Sequence, residues 1–529
     1  MSLSSPPQLV PYRDVVEFEG AIQHLLKNVS RMPLFLFFKK SRNIFKKDEL
    51  GLEIAKIALP ATLALAADPV ASLIDTAFIG HIGPVELAAV GVSIAVFNQV
   101  SRITIFPLVS VTTSFVAEED TIGKLNAEAQ EDENLEKGFT TNKEMEELIH
   151  LVKSSSKMSS ISSAYTQRSE TEHERRHIPS ASVAMVIGTV LGLIQALFLI
   201  LAAKPILNYM GVKSDSPMIR PAQKYLTLRS IGAPSLLLSL SMQGIFRGFK
   251  DTKTPLYATV VGDLANVVLD PIFIFVFRMG VSGAAIAHVI SQYLISLILL
   301  WKLIEKVDLL PPSFKDLQFD RFLKNGFLLM VRVIAVTFCV TLSASLAARQ
   351  GSTTMAAFQI CLQIWLATSL LADGLAVSAQ TILASAFVKR DYDKARTTAS
   401  HVLQLGFILG LVFSVTIMFG LPYGSRLFTT EVSVLQLISV TTPFIAVTQP
   451  INALAFIFDG INYGASDYAY SAYSMVAVAV ISILCLFILS STHGYIGIWI
   501  ALSIYMILRS FAGFFRIGTG AGPWNFLRV

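Results

Sequence analysis

Apolar residues occur in long runs, separated by short polar segments, from residue 52 to about residue 515. Most runs reach the roughly 20 residues that an α-helix needs to cross the hydrocarbon core of a bilayer. Since an unpaired backbone amide is costly in lipid, runs of this length predict membrane-spanning helices. Hydropathy predicts twelve, numbered here as spans 1 to 12: residues 52–79, 86–117, 179–203, 221–244, 255–277, 281–304, 322–348, 354–387, 397–420, 433–458, 468–490 and 494–515.

The composition also indicates an all-α polytopic membrane protein. Hydrophobic residues make up 53% of the 529 residues and charged residues only 15%, whereas soluble domains carry about 25% charged residues. Residues 1–33 show no cleavable signal pattern, so span 1 is expected to direct insertion. Cys339, Cys361 and Cys485 lie inside predicted spans, where a thiol behaves as a small hydrophobic group. We therefore expect no disulfide and no metal site.

Basic residues predict the orientation of the spans. Lys and Arg are concentrated in residues 39–47, before span 1, and in the loops after spans 4, 6 and 8. Because cytoplasmic loops carry the excess of Lys and Arg, the N-terminus is predicted to be cytoplasmic. An even number of spans places the C-terminus on the same side. The loop after span 3 is an exception, since it carries Lys204, Lys213, Arg220 and Lys224.

One long polar segment, residues 118–178, interrupts the spans; its first half is acidic and its second half is rich in serine. This composition predicts a partly disordered cytoplasmic linker with one amphipathic helix near residues 143–152. A regulatory segment switched by phosphorylation is the alternative. The predicted organisation is a cytoplasmic segment 1–50, spans 1 and 2 in 51–117, the loop 118–178, spans 3 to 6 in 179–305, a linker 306–321, spans 7 to 12 in 322–516 and a cytoplasmic tail 517–529.

The two halves of the chain resemble each other. Residues 87–117 align with residues 355–385 at an offset of 268. Span 3 aligns with span 9 at an offset of 218, which matches Gly188 with Gly406. The offset falls by nearly the length of segment 118–178, so this segment is an insertion into one copy of a six-span repeat. Because six is even, both copies have the same orientation, and we expect two lobes around a central cavity.

Several motifs carry a resemblance to a known family. They are Leu59–Pro60, Ile74–His81, Gln243–Gly248, Asp251–Pro255, Asn266–Pro271 and Gly280–Ala287. In their order and spacing, over residues 50–516, the sequence resembles the multidrug and toxic compound extrusion (MATE) family. The resemblance implies twelve transmembrane helices in two six-helix lobes. It also implies secondary active antiport, in which H⁺ or Na⁺ enters as the substrate leaves, without any other cofactor.

Within this family, two features are similar to the plant citrate exporters, which act in aluminium tolerance and in iron movement through the xylem. They are the long loop 118–178 and the stretch GIFRGFKDTKTPLYATVVGDLANVVLDP at residues 244–271. This similarity implies a multi-pass exporter of citrate, or of a related organic anion, in the plasma membrane. We expect its partners to be that anion and the lipid bilayer, with no nucleic acid, and we expect a monomer.

Ionisable groups inside the spans are candidates for function, since a charge within the membrane is costly. In related transporters with a cation site in the first lobe, residues matching Asp75, Asn266 and Asp270 form that site. Asn266 and Asp270 are spaced i, i+4 and share one helix face. His288 lies in span 6, and a histidine there would favour H⁺ over Na⁺, since histidine ordinarily titrates near neutrality. The alternative is a buried hydrogen-bond network that only joins spans 1, 5 and 6.

The second lobe offers basic groups for a substrate. Many eukaryotic multidrug members of the family carry an essential acid in the seventh span, whereas span 7 here contains Arg332 and no acid. Guanidinium groups bind carboxylates through paired hydrogen bonds, which suits a tricarboxylate. The predicted substrate-binding residues are Arg102, Arg332, Gln99, Gln363 and Arg509. The alternatives are a salt bridge from Arg332 to Asp373 and snorkelling of Arg509 toward the cytoplasm, while Arg229 and Arg247 are expected to be structural or gating residues.

Other functions are alternatives at this point. The same fold could extrude a cationic drug, an alkaloid or a phenolic metabolite. An integral membrane enzyme is disfavoured, because the spans contain no nucleophile–base constellation, metal motif or glycine-rich phosphate loop. A channel is disfavoured as well, because no filter-like repeat or ring of charges is evident.

Overall fold

The computed structural model describes residues 49–151, 178–210, 214–307, 319–427 and 431–528, together with Val212 and Thr429. These residues are helical almost throughout. The helices are α1 Glu49–Gly80, α2 Pro84–Leu151, α3 Pro179–Tyr209, α4 Ile219–Ser230, α5 Ala233–Gly248, α6 Lys253–Pro271, α7 Val281–Ile304, α8 Phe319–Arg349, α9 Ser352–Val388, α10 Tyr392–Gly424, α11 Val432–Gly464 and α12 Tyr468–Gly518. A π-helical turn, Ile272–Val276, follows α6, and short 3₁₀ helices lie at Ser425–Leu427 and Gly522–Arg528.

These helices account for all twelve predicted spans. In the described part of the chain, ten helical segments are long and apolar enough to cross a membrane. One of them, α12, has 51 residues and kinks at Gly494, so it contains spans 11 and 12. Span 4 is present as two shorter helices, α4 and α5, with a break at Ile231–Gly232. The prediction of an all-α polytopic membrane protein is therefore confirmed.

Helix α2 extends far beyond span 2, to Leu151. Residues 118–151 are therefore helical, whereas the sequence predicted a linker with one short helix. The physical reason is composition: this segment contains no proline and many Glu, Lys, Ala and Leu residues, which favour helix. The serine-rich residues 152–177 lie outside the described residues, as do residues 1–48 of the N-terminal segment and residues 308–318 of the linker.

The internal repeat is visible in the backbone. Gly280 before α7 has φ 56° and ψ −132°, and Gly494 within α12 has φ 56° and ψ −130°. Three residues after each, Gly283 and Gly497 pack so closely that an added Cβ would lie 2.6 Å and 1.9 Å from backbone atoms of the preceding segment. Such a left-handed turn with a close backbone approach requires glycine. The same kink in both halves confirms two repeated lobes: the N-lobe (α1–α7) and the C-lobe (α8–α12).

The polar turns that follow α5 and α11 also repeat. Asp251 accepts a 2.6 Å hydrogen bond from Lys306, and Asp467 accepts one of 2.6 Å from Arg516. Burial raises the pKa of Asp251, but the hydrogen bonds from Lys306 and Thr254 outweigh this effect and hold that pKa below its usual value. Each lobe thus closes this turn with one ion pair.

Small residues let the helices of each lobe approach closely. A Cβ added to Gly192 would lie 2.5 Å from the Cα of Pro234, and one added to Gly410 would lie 2.4 Å from the Cα of Pro450. These two glycines are equivalent in the repeat. Large apolar side chains, such as Leu201 at 73% exposure, lie on the outside of the bundle. Both features are typical of helices packed within lipid.

The lobes meet at the face that carries the basic loops, here called the basic face and defined by Lys250, Arg321 and Lys394. Glu53 of α1 accepts a 2.7 Å hydrogen bond from Lys250 of its own lobe and one of 3.0 Å from Lys394 of the C-lobe. Arg321 of α8 donates a 2.6 Å hydrogen bond to Glu118 of α2. Two ion pairs, Glu53–Lys394 and Glu118–Arg321, therefore join the lobes at this face.

Deeper in the interface, the lobes contact each other through polar and small side chains. Gln380 of α9 donates to the backbone oxygen of Ser110 at 2.7 Å and to the hydroxyl of Ser114 at 2.8 Å, both on α2. Gly374 of α9 packs against α1, where an added Cβ would lie 1.9 Å from the hydroxyl of Thr62. These contacts bring the lobes together in the half of the protein nearer the basic face.

Candidate functional site

A polar cluster lies inside the N-lobe, where α1, α6 and α7 meet. The Nδ2 of Asn266 donates a 2.6 Å hydrogen bond to Oδ1 of Asp75. The hydroxyl of Ser291 lies 3.4 Å from Oδ1 of Asn266 and donates to it. The Nδ1 of His288 lies 3.9 Å from Oδ2 of Asp75. The structure thus brings Asp75, Asn266 and His288 together from three helices.

Asp270 is the fourth member of this N-lobe cluster. It lies one turn after Asn266 on α6, is only 1% exposed, and interacts electrostatically with Asp75. The carboxyl groups of Asp270 and Asp75 are close enough for a side-chain hydrogen bond, which requires one of the two to carry a proton. Arg229 of α4 acts electrostatically on Asp75 and donates a 3.1 Å hydrogen bond to the hydroxyl of Tyr225.

The charges of the N-lobe cluster do not balance. Two carboxylates, Asp75 and Asp270, lie near one guanidinium, Arg229, so the formal charge is −1 when His288 is neutral. Burying a carboxylate without a counterion is strongly unfavourable. The cluster can therefore hold one proton or one monovalent cation.

A second charged cluster, here called the C-lobe triad, consists of Arg332 on α8, Asp459 on α11 and Arg509 on α12. The Nη2 of Arg332 contacts Oδ1 of Asp459, and the Nη2 of Arg509 contacts Oδ2 of the same carboxylate. The two arginines are only 5% and 6% exposed. Two guanidinium groups share one carboxylate, so the formal charge of the triad is +1.

A small cavity borders the C-lobe triad, and Asn462 and Ser471 also line it. Among the described residues, no hydrogen-bond partner is found for the Nε atoms of Arg332 and Arg509 or for Oδ1 of Asn462. Since buried polar groups are usually paired, these groups are available to a polar ligand in the cavity. The positive charge and the two unpaired Nε–H donors favour an anion.

Comparison with known proteins identifies the family. The family model MatE matches residues 152–272 and 329–488, which together are more than half of the chain. Protein DETOXIFICATION 42 of Arabidopsis thaliana is 65% identical over 504 residues, which cover 94% of this chain and 98% of the relative. The chain belongs to the MATE family. Protein DETOXIFICATION 43 of the same plant is 57% identical over 508 residues, covering 94% of this chain and 96% of the relative.

Solved structures agree with this assignment at the level of the fold. A MOP superfamily transporter from Pyrococcus furiosus superposes with a TM-score of 0.71 at 18% identity, covering 90% of this chain and 97% of that one. As a MATE protein, the chain is a secondary active efflux transporter of organic substrates and not an enzyme.

The sequence of this MATE protein did not identify Asp459 as a site residue. Predicted span 10 ends at residue 458, whereas α11 continues to Gly464 and keeps Asp459 inside the C-lobe. The predicted alternative, a salt bridge from Arg332 to Asp373, is wrong, because Arg332 contacts Asp459 instead. Asp373 interacts electrostatically with Arg247 of α5 in the other lobe and also with the three residues of the C-lobe triad. With Arg247 and Asp373 included, three guanidinium groups face two carboxylates, and the formal charge remains +1. Extending each predicted span by one turn before searching for ionisable residues would have found Asp459.

The structure also places Arg509 and Arg229, for which the sequence suggested roles outside the two clusters. Arg509 does not snorkel toward the membrane surface, because it is buried and contacts Asp459. The reason is that Asp459 offers a counterion within the lobe. Arg229, which was expected to be structural or gating, lies beside Asp75 in the N-lobe cluster.

The remaining predicted substrate residues lie apart from the C-lobe triad. Gln99 and Arg102 are on an exposed face of α2, and Gln363 is on an exposed face of α9. Both helices also contact the opposite lobe, so we expect these polar side chains to border the predicted central cavity, a cleft between the lobes. The cavity beside the triad, in contrast, is lined only by α8, α11 and α12.

Proposed function

We propose that this MATE protein exports an organic anion, most specifically citrate, in exchange for H⁺ or Na⁺. The observation that carries the proposal is the C-lobe triad, in which Arg332 and Arg509 share the single carboxylate of Asp459. A buried cluster with an excess positive charge stabilises an anion and disfavours a cation. Each guanidinium can also pair with a carboxylate through two hydrogen bonds.

The cleft supplies further contacts for a polyvalent anion. Arg102 and Gln99 on α2 and Gln363 on α9 are exposed hydrogen-bond donors on helices that contact the opposite lobe. An anion that enters the cleft would meet these groups in addition to the triad. Their distribution over both lobes suits a substrate with several carboxylates better than one with a single carboxylate.

The membrane potential favours export of such an anion. Fully ionised citrate carries three negative charges, so a cytoplasm-negative potential favours its exit by about 7 kcal/mol per 100 mV. The larger physical problem is to hold this charge inside the membrane, because uncompensated burial would be prohibitive. The C-lobe triad supports the proposal because it supplies fixed positive charge there.

Coupling to a cation is assigned to the N-lobe cluster of Asp75, Asn266, Asp270 and His288. The cluster lacks one positive charge, which a proton or Na⁺ supplies. H⁺ is the preferred ion because the carboxyl groups of Asp75 and Asp270 interact with each other, and one proton shared between them removes the excess negative charge.

The predicted orientation of the spans supports export from the cytoplasm. The positive-inside rule makes the basic face cytoplasmic, with both termini on that side. The ion pairs Glu53–Lys394 and Glu118–Arg321 would then hold the lobes together on the cytoplasmic side. We assign the protein to the plasma membrane as a monomer. In a plant root, this activity would serve aluminium tolerance or iron homeostasis, as in the citrate exporters that the sequence resembles.

Extrusion of a cationic or phenolic metabolite by the same fold is the second candidate. The negative excess at Asp75 and Asp270 favours it, because an organic cation could neutralise that charge as well as a proton could. Membership of the MATE family is compatible with both candidates.

Efflux from injected oocytes separates the two candidates. Oocytes that express the protein are loaded with radiolabelled citrate, malate or tetraethylammonium, and release is compared with that of water-injected oocytes. The proposal predicts release of citrate well above background and release of tetraethylammonium at background. Release of tetraethylammonium without release of citrate or malate would support the cationic substrate and contradict the proposal.

A further inference from the structure

We infer that Asp459 is an internal counterion, which a substrate carboxylate displaces from Arg332 and Arg509 during transport. The inference rests on the proposed function, since it concerns the same anion site. It assigns Asp459 a competing role: the residue neutralises the arginines when no substrate is bound and helps to release the substrate afterwards.

The exposure of the three side chains supports this exchange. Within the C-lobe triad, the Asp459 side chain is 15% exposed, whereas those of Arg332 and Arg509 are 7% and 6% exposed. The carboxylate is therefore the most accessible member, and it borders the cavity that an incoming ligand would occupy. It comes from α11, whereas the two arginines come from α8 and α12, so the carboxylate and its two partners belong to three different helices.

The pairing of the arginines is also incomplete. Each guanidinium contacts Asp459 through Nη2, and the Nε of each is buried without a hydrogen-bond partner among the described residues. A guanidinium binds a carboxylate best through two parallel N–H···O bonds. An external carboxylate can take both Nε–H and Nη2–H of one arginine, a geometry that Asp459 does not reach with either arginine.

Contacts with aromatic rings keep the arginines in place when Asp459 leaves them. The guanidinium carbon of Arg332 lies 5.4 Å from the ring centre of Tyr463, and that of Arg509 lies 4.6 Å from the ring centre of Phe456. Cation–π attraction at these distances stabilises a desolvated guanidinium without neutralising its charge. The hydroxyl of Ser471, which lines the same cavity and interacts with the hydroxyl of Tyr463, is a nearby donor for the displaced carboxylate of Asp459.

The exchange has a measurable consequence. Substrate binding to the wild-type protein must displace Asp459, so the measured affinity is lower than that of the two arginines alone. Asp459→Asn removes the competitor and raises the formal charge of the site from +1 to +2. A charge-assisted hydrogen bond contributes about 1.5–3 kcal/mol, so the dissociation constant for citrate should fall at least about tenfold. Release slows for the same reason, and maximal efflux should fall.

Binding of radiolabelled citrate to the full-length protein in lipid nanodiscs tests the inference. Asp459→Asn should bind citrate at least about tenfold more tightly than the wild type, while Asp459→Glu, which keeps the charge, should remain near it. The matched control is Asp467→Asn, because Asp467 is also buried in the C-lobe and also pairs with an arginine, Arg516, but lies outside the cavity lining. This control should leave citrate affinity unchanged.

A second pair of variants keeps the test valid if Asp459→Asn fails to fold with two unpaired buried arginines. Arg509→Gln leaves Arg332 and Asp459 as a neutral pair, so citrate binding should be weak. Adding Asp459→Asn to Arg509→Gln restores a net charge of +1, and citrate binding should recover. A purely structural role for Asp459 predicts the opposite, since the double variant would lose a further contact.

The outcomes separate this inference from the proposed function. Citrate binding by the wild type, with tighter binding by Asp459→Asn or recovery in the double variant, supports the counterion role. Citrate binding by the wild type with neither effect overturns the counterion role and leaves the proposed function standing. Absence of citrate binding in the wild type and in all variants overturns the proposed function and this inference with it.

Discussion

The side-chain amide of Asn266 donates a 2.6 Å hydrogen bond to the carboxylate of Asp75 and so links α6 to α1. Helix α1 also carries Glu53, whose carboxylate contacts Lys394 of the other lobe. Pro60 and Pro69 lie between these two positions and interrupt the backbone hydrogen bonds of α1. One helix therefore connects the N-lobe cluster with the lobe interface. A movement of α1 on cation binding would reach the ion pair Glu53–Lys394 at the basic face.

Asp75→Asn and Asp270→Asn test the coupling role of the N-lobe cluster. Each change removes the negative charge that a proton or Na⁺ would neutralise but preserves the shape of the side chain. We expect citrate efflux that is stimulated by an inward proton or Na⁺ gradient to fall to background in both variants. Surface expression should be unchanged, since the substitutions relieve unpaired buried charge. Normal gradient-stimulated efflux in both variants would contradict the assignment.

Charge reversal tests whether Glu118–Arg321 holds the lobes together at the basic face. Arg321→Glu should open that face, and a cysteine placed at Gln380 in the lobe interface should then react faster with a membrane-impermeant thiol reagent. The arginine side chain is 45% exposed, so we expect an effect of under about 1 kcal/mol, or a change of a few-fold in the labelling rate. Combining Arg321→Glu with Glu118→Arg should bring the rate back toward that of the parent protein. Failure of this double variant to slow labelling would show that the ion pair does not hold the interface.

The turn after α5 should contribute to acid sensitivity. Lys306 and Thr254 hold the pKa of Asp251 below its usual value, so this carboxylate stabilises the fold above its unfolded-state pKa of about 3.9. That contribution disappears as the pH falls below about 3.9 and through the lower folded-state pKa. Thermal unfolding of the detergent-solubilised protein should show that Asp251→Asn lowers the melting temperature slightly at pH 6. The difference should shrink as the pH falls below about 4, and a difference that stays constant down to the lowest pH at which the protein remains folded would contradict the interpretation.

The sequence predicts most of the fold because each span must bury its own backbone hydrogen bonds in lipid. The spacing of Asn266 and Asp270 also places both on one face of α6, and Gly280 and Gly494 mark equivalent kinks. Asp459 could not be found in the same way. A charged residue lowers the hydropathy that defines a span, so the predicted span ended just before the residue that lies between the two arginines.

The length of α2 shows a second limit of the sequence. Hydropathy reports where a helix leaves the membrane, at about residue 117, but not where the helix ends. Beyond that point the structure remains helical to Leu151 because of helix-forming polar residues. The sequence also did not identify the partner of Arg332. Whether Asp373 or Asp459 faces Arg332 depends on how α9 and α11 are rotated about their axes, and helix packing alone determines those rotations.

Citrate efflux from proteoliposomes that contain purified Arg332→Gln or Arg332→Lys tests the central claim, export of an organic anion by the C-lobe arginines. Arg332→Gln leaves Arg509 and Asp459 as a neutral pair, so its kcat/KM for citrate should fall at least about tenfold, the effect of losing one charge-assisted contact. Arg332→Lys keeps the charge but loses the planar fork, so its activity should lie between that of Arg332→Gln and the wild type. Asp467→Asn serves as the matched control and should transport at the wild-type rate. Citrate efflux by Arg332→Gln at the wild-type rate would contradict the account. If Arg332→Gln instead lost efflux of tetraethylammonium while keeping that of citrate, a cationic substrate would be supported.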